Sequence, residues 1–255
     1  MTRTSRLLDL AGGTLLLALL VAGWAAAARA GWISRAFLPA PQDAAAALVR
    51  GLRDGELLQQ TLETLRRMLL GWALACLAGA VLGALIGVLP GLQVWLMPTL
   101  EAMRPLPASA VMPLGIALFG LSPAMVLAVI AFGAVWPVLL GTVHGFETIE
   151  PRLREVSRVL GIGPAAFAWK IGMPSAAADA LAGMRLALTV SLILAVVGEM
   201  LASQPGLGNA ILLAARAFHS ADLFAGIALL GLLGLCSNAA LLAIERRLLR
   251  WRPSH

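Results

Sequence analysis

Residues 105–146 run for 42 positions without an Asp, Glu, Lys or Arg, and the only strong break is Gly120-Leu121-Ser122-Pro123 near the middle. One membrane crossing takes about 20 apolar residues. The tract is therefore long enough to cross twice, and a Gly/Pro cluster at its centre is the expected turn. Similar uncharged tracts cover residues 10–28, 68–100 and 223–244. Hydrophobic residues make up 60% of the 255 positions, charged residues 13%, and mean hydropathy is +0.89. Soluble domains carry about 25% charged residues.

These tracts predict an all-α, polytopic membrane helix bundle of about six transmembrane helices. The spans fall at about 10–29, 68–89, from about 106 onward with Pro107 and Pro113 kinking the third, then 124–143, 180–201 and 223–244. Residues 90–104 read as a short excursion. The chain reads as one transmembrane domain over 1–255, with 10–29 as an N-terminal anchor helix and 62–250 as the core bundle. The uncharged run of the first span has 19 residues, longer than the ~7–15 of a secretory signal core, so it is read as retained. Between spans one and two, Leu48, Leu52, Leu58, Leu62 and Leu65 recur at helical spacing and predict an amphipathic helix with these leucines as its apolar face.

Six crossings put both termini on one side. With the termini inside, the inner segments hold Arg3, Arg6, Arg104, Arg152, Arg154, Arg158, Lys170, Arg246, Arg247, Arg250 and Arg252, eleven basic residues. The outer segments hold seven: Arg29, Arg35, Arg50, Arg53, Arg66, Arg67 and Arg216. The positive-inside rule therefore favours cytoplasmic termini. The net charge of +6 is spread between the apolar tracts and forms no single basic face, so nucleic acid is not an expected partner. Cys76 and Cys236 lie in apolar stretches, and His144, His219 and His255 are scattered. Neither a disulfide nor a metal site is expected.

In the second span Gly71, Ala75, Gly79, Gly83, Gly87 and Gly91 put a small residue at every fourth position along one ridge. Such a ridge permits close backbone approach in lipid, where packing replaces hydrophobic drive. Its partner is another helix of the bundle or a second copy of the chain. Span five carries two candidate pathway charges, Arg185 and Glu199, fourteen residues apart and so on roughly one face. An intramembrane charge costs about 2.5–3.5 kcal/mol at mid-helix on insertion scales and faces a bundle interior or an aqueous cavity. For Arg185, near the start of the span, snorkelling to the cytoplasmic surface is an equal reading.

The most charged internal segment is 147–174. Pro151 opens a short helix with Leu153, Val156, Val159 and Leu160 along one side, Gly161 stops it, and Pro164 starts another. Gly161-Ile162-Gly163-Pro164-Ala165-Ala166 matches GxGxx(G/A) in form only, because a helix rather than a strand precedes it. The amphipathic helix needs either a protein surface or the lipid headgroups to lie on. The single lysine, Lys170, stands between Trp169 and Ile171 and not in a phosphate-binding loop, and neither a GxSxG nor an HExxH pattern occurs. No catalytic residue is expected, and no cofactor is expected to bind to this chain.

The same segment resembles the cytoplasmic loop of binding-protein-dependent ABC importer permeases, whose signature is E-A-A, three residues, G, nine residues, I-x-L-P. Here Glu155-Val156-Ser157, Gly161, Ile171 and Pro174 stand at that spacing, with Val156, Ser157 and Met173 departing from it. Leu38-Pro39-Ala40-Pro41, Leu65-Arg66-Arg67, Arg104-Pro105-Leu106-Pro107, Gly206-Leu207-Gly208 and Glu245-Arg246-Arg247-Leu248 extend the likeness to the nitrate, sulfonate and taurine branch. The resemblance implies a type I importer fold in the bacterial inner membrane. A second permease copy would complete the pathway, an ABC ATPase dimer using ATP and Mg would dock on 147–174, and a periplasmic binding protein would deliver a small anionic solute. The rival class, an ATP-independent secondary transporter or channel, has no use for the 155–174 signature.

Overall fold

The computed structural model describes residues 3–31, 33–103 and 107–249, and every regular element among them is helical. In chain order these are α1 (Arg3–Ala30), α2 (Pro41–Arg53), α3 (Glu56–Val88), α4 (Pro90–Met103), a 3₁₀ turn (Ala108–Val111), α5 (Met112–Phe119) and α6 (Pro123–Glu147). They continue with α7 (Pro151–Val159), α8 (Pro164–Phe167), a π turn (Ala168–Gly172), α9 (Met173–Ala202), α10 (Leu207–Arg216) and α11 (Ser220–Leu248). The polytopic all-α class read from the sequence is what is found. Five helical runs are long and apolar enough to cross a membrane: α1, α3, α6, the unbroken run Pro164–Ala202, and α11.

The sixth crossing differs from expectation. The supposed excursion after Pro90 is the 14-residue helix α4, and together with the 108–119 segment it forms a pair bent by 87°. The third apolar tract is thus not one continuous helix over the described residues, and Leu106, its expected start, lies outside them. Pro107 is the extended residue that precedes the 3₁₀ turn, and Pro113 sits in the first turn of α5. Both prolines open helical pieces, where a missing N–H costs nothing, and neither kinks a continuous helix. Gly120, at φ +65°, ends α5, and Ser122 caps α6 by accepting from the Met125 amide at 3.2 Å.

The expected amphipathic helix between the first two spans is also two helices, divided at Asp54-Gly55, where Gly55 has φ +81°. Leu52, Leu58 and Leu62 are exposed, while Ala44 and Ala47 of α2 and Thr64 and Arg67 of α3 are buried. The leucines therefore do not form one face of one helix: Leu48 and Leu52 belong to α2, Leu58 and Leu62 lie outward on α3, and Leu65 is half-buried against the core.

The chain divides into two compact units, 1–61 with 210–231, and 62–209 with 232–255. In the first, the Trp24 indole donates to Pro39 O at 2.9 Å and stacks on Phe224 with ring centroids 5.3 Å apart. Phe37 meets Phe218 edge-on at 5.9 Å, and Ser220 Oγ donates to Arg35 O at 2.9 Å.

The second unit is built on α3, α6 and α9. The glycine ridge of α3 lies on α6: a Cβ at Gly79 would stand 2.7 Å from Val138 Cβ, at Gly83 2.8 Å from Leu139 O, and at Gly87 2.6 Å from Phe146 Cβ. The seam is therefore intramolecular over these residues, and Gly91 beyond it has open space. A second close crossing joins α6 to α9, where a Cβ at Gly141 would come within 2.7 Å of Asp179 O and one at Gly145 within 2.6 Å of Ala176 Cβ. Around these crossings Met68, Met112, Met125, Val126 and Ile130 form a buried cluster with Leu188 and Leu194. Small residues bring the backbones together so that side chains on either side gain the van der Waals contact on which association in lipid depends.

Candidate functional site: a clamped loop and three charged stations

Phe146, wholly buried at the end of α6, organises the 147–174 segment. It packs with Ile149, Phe167 and Ala176, against which Ile162, Ile171 and Met173 also rest, and Gly87 and Gly172 close on its ring. Its carbonyl accepts from Arg154 Nη2 at 2.5 Å. The first loop helix, α7, ends in a Schellman arrangement: Gly161 N–H donates to Arg158 O at 3.1 Å and Ile162 N–H to Ser157 O at 2.9 Å. Gly161 has φ +67° with no atom near its missing Cβ, so conformation and not space selects glycine here. Ser157 is buried and its Oγ donates to Arg154 O at 2.7 Å. Arg154 thus ties α7 to the end of α6 from its polar side, while the Ser157 hydroxyl bond stays within α7.

The outer side of α7 is apolar and uncovered. Val159 is 87% exposed and Leu160 68%, with Leu153 and Val156 also exposed. Glu155 is exposed and makes no ion pair among the described residues. Ile171 lies in the π turn and Pro174 in the first turn of α9, so the second half of the expected signature is the beginning of a spanning helix and not a separate short one. The π turn inserts one wider loop of backbone into the run, a feature frequent at functional positions in helices.

The two charges singled out in span five are not brought together. Glu199, fully buried, accepts from Arg67 Nη1 at 2.5 Å, Thr64 Oγ1 at 2.9 Å and the Gly208 amide at 2.9 Å. Arg67 also donates to Pro205 O at 3.0 Å and lies 3.9 Å from Glu63, while Thr64 Oγ1 accepts from the Leu207 amide at 2.8 Å. This explains Gly206-Leu207-Gly208: a side chain at Gly206 would strike the Glu199 carboxylate, and one at Gly208 the Val196 carbonyl. Both charges of the pair are desolvated and nearly every polar atom is used, which makes the cluster a tie between α3, α9 and the following loop. Arg185, four helical turns away, pairs with Glu245 of α11. Its Nε is buried with no hydrogen-bond partner among the described residues.

A third ionisable residue of α9 was missed. Asp179 lies one position before the expected start of span five, but α9 begins at Met173, so Asp179 is inside the helical run. It lines a groove of about 500 Å³ between α6 and α9 together with Trp136 and His144. The signal available was the helix-starting Pro174, which would have moved the boundary back by one and a half turns.

The chain matches the family model described as binding-protein-dependent transport system inner membrane component over residues 75–250. It is 32% identical to the putative aliphatic sulfonates transport permease protein SsuC of Bacillus subtilis (strain 168), over 95% of this chain and 88% of that one. It is 29% identical to the taurine transport system permease protein TauC of Escherichia coli (strain K12), over 97% and 91%. With the nitrate import permease protein NrtB of Leptolyngbya laminosa the identity is 30%, over 73% and 67%. The bent helical pair, the clamped loop and this match over more than two thirds of its length all lie in one chain, which belongs to the binding-protein-dependent inner membrane component family of ABC importer permeases.

Proposed function

We propose that the chain forms, with a second copy of itself, the translocation pathway of an importer for a small sulfonate-like solute, driven through 147–174 by a separate ATPase dimer and supplied by a periplasmic binding protein. The solute class follows the sulfonate, taurine and nitrate permeases to which the chain is similar. The termini lie in the cytoplasm of a bacterial cell in this reading, in keeping with the arginine distribution.

One observation carries the coupling role. An amphipathic helix exposes Leu153, Val156, Val159 and Leu160 while its polar side is fastened to the bundle through Arg154 and Phe146. A rigid mount with an uncovered apolar face is what transmission of a push requires. Closure of the ATPases would move α7, and Phe146 would carry that movement into α6 and the α3 seam, switching the bundle between two packings. The exposed Glu155 is available to a cation of the ATPase.

The test is Gly161→Val beside Gly161→Asn in the assembled importer. Val at φ +67° is strained by about 1–2 kcal/mol, whereas Asn visits this region readily. Gly161→Val is expected to reach normal membrane abundance, lose most solute uptake and weaken ATPase association, with Gly161→Asn close to the parent. Full uptake by Gly161→Val at normal abundance would refute the role of the loop.

A further inference from the structure

The groove between α6 and α9 holds about 500 Å³, and its lining among the described residues is apolar except for Asp179, His144 and the indole of Trp136. Gly141 and Gly183 also line it, at the point where their missing side chains let the two helices cross almost at backbone contact. Asp179 makes no hydrogen bond or ion pair among the described residues. His144 has its own acidic neighbour, with Nδ1 3.5 Å from Glu147 Oε2. The arginine nearest in sequence, Arg185, is engaged by Glu245 and does not line the groove.

The groove therefore holds a carboxylate with no counter-charge bonded to it among the described residues. An unpaired carboxylate on a spanning helix is costly unless it faces a wet path and serves it. A carboxylate and an indole on the walls of one cleft are together suited to an alkylammonium group, attracted by the charge and by the electron-rich ring face. A bare anion meets that carboxylate with no arginine or lysine beside it among the described lining residues.

We propose that Asp179 and Trp136 form an ammonium-accepting station on the transport path, which fits the importer to a zwitterionic aminoalkyl sulfonate and not to a simple anion. This rests on the reading that the chain lines the path. It makes Asp179 a selectivity group that acts by charge while the solute passes.

The experiment places a reporter thiol in the groove wall, Leu140→Cys, in the full-length chain assembled with its partners, with Cys76 and Cys236 replaced by Ala. In permeabilised membrane vesicles, its modification rate is measured with 2-(trimethylammonium)ethyl methanethiosulfonate and with 2-sulfonatoethyl methanethiosulfonate, each relative to a free thiol. With Asp179 present, the cationic reagent is expected to be favoured by about tenfold, a modest electrostatic effect for a partly desolvated charge. Asp179→Asn should bring the two relative rates together, and Asp179→Glu should keep them apart. An equal preference in Asp179→Asn and the parent would overturn the station. Failure of both reagents to reach Leu140→Cys would instead overturn the groove as a water-filled path, and with it the station that depends on it.

Discussion

Two carboxylates of α9 stand twenty positions apart and have opposite surroundings. Glu199 is sealed from solvent and receives an arginine, a hydroxyl and a backbone amide. Asp179 borders an open groove and receives nothing among the described residues. The same helix, in the same bilayer, uses one acid as a tie and leaves the other available. Charge inside a membrane helix is thus not informative by itself, and what matters is whether the fold has already supplied the counter-charge.

The sharpest way to break the contrast is to remove Glu199. Glu199→Ala strands Arg67 in a buried site, a change that costs about 3–5 kcal/mol. The variant is expected to lose most of its membrane abundance, or to unfold at a much lower temperature in detergent. Arg67→Met combined with Glu199→Leu should recover a large part of that loss. If Glu199→Ala were as stable as the parent, the cluster would not be a tie.

A smaller effect is expected at the α3–α6 seam, where no charge is involved. Gly83→Ala puts a Cβ against Leu139 O and Thr142, and overpacking of this kind costs about 1–3 kcal/mol. Thermal unfolding of the purified chain should report it, and Gly91→Ala, where space is open, serves as the control. Smallest of all is Asp179→Asn, expected to stay within about 0.5 kcal/mol of the parent because no partner is lost. A destabilisation comparable to that of Glu199→Ala would show that Asp179 has a structural partner and would erase the contrast.

Much of this was legible from residue order. The uncharged tracts gave the number of crossings, because lipid forces long apolar runs. The Gly161 stop and the Pro164 start gave the loop, because φ preference is local. The four-residue glycine ridge named the seam but not its partner, since close approach says nothing about what approaches. The break in the third apolar tract was not legible: an 87° bend depends on how two short helices are received by their neighbours, and the prolines that start them look like kinks in a linear reading. The pairing of Arg67 with Glu199 crosses 132 positions, and no local pattern announces it. The leucine periodicity over 48–65 marked apolar positions but not which of them are covered: Leu58 and Leu62 are exposed and Leu65 packs on the core, because periodicity identifies a face without saying what lies against it.

Phe146 bears on how such a permease can diverge. Its ring is enclosed by two positions that have no side chain: a Cβ at Gly87 would sit 2.7 Å from Phe146 Cγ, and one at Gly172 2.7 Å from Cζ. A lineage that enlarged Gly172 would need a shorter residue at 146 in compensation, and one that lost the aromatic ring would release Gly172 but not Gly87, whose Cβ would still meet that of residue 146 at 2.6 Å. Positions 146 and 172 are therefore expected to change together, with Gly87 held whichever residue stands at 146. A paired exchange such as Gly172→Ala with Phe146→Leu is the signature of inheritance that this one ring predicts.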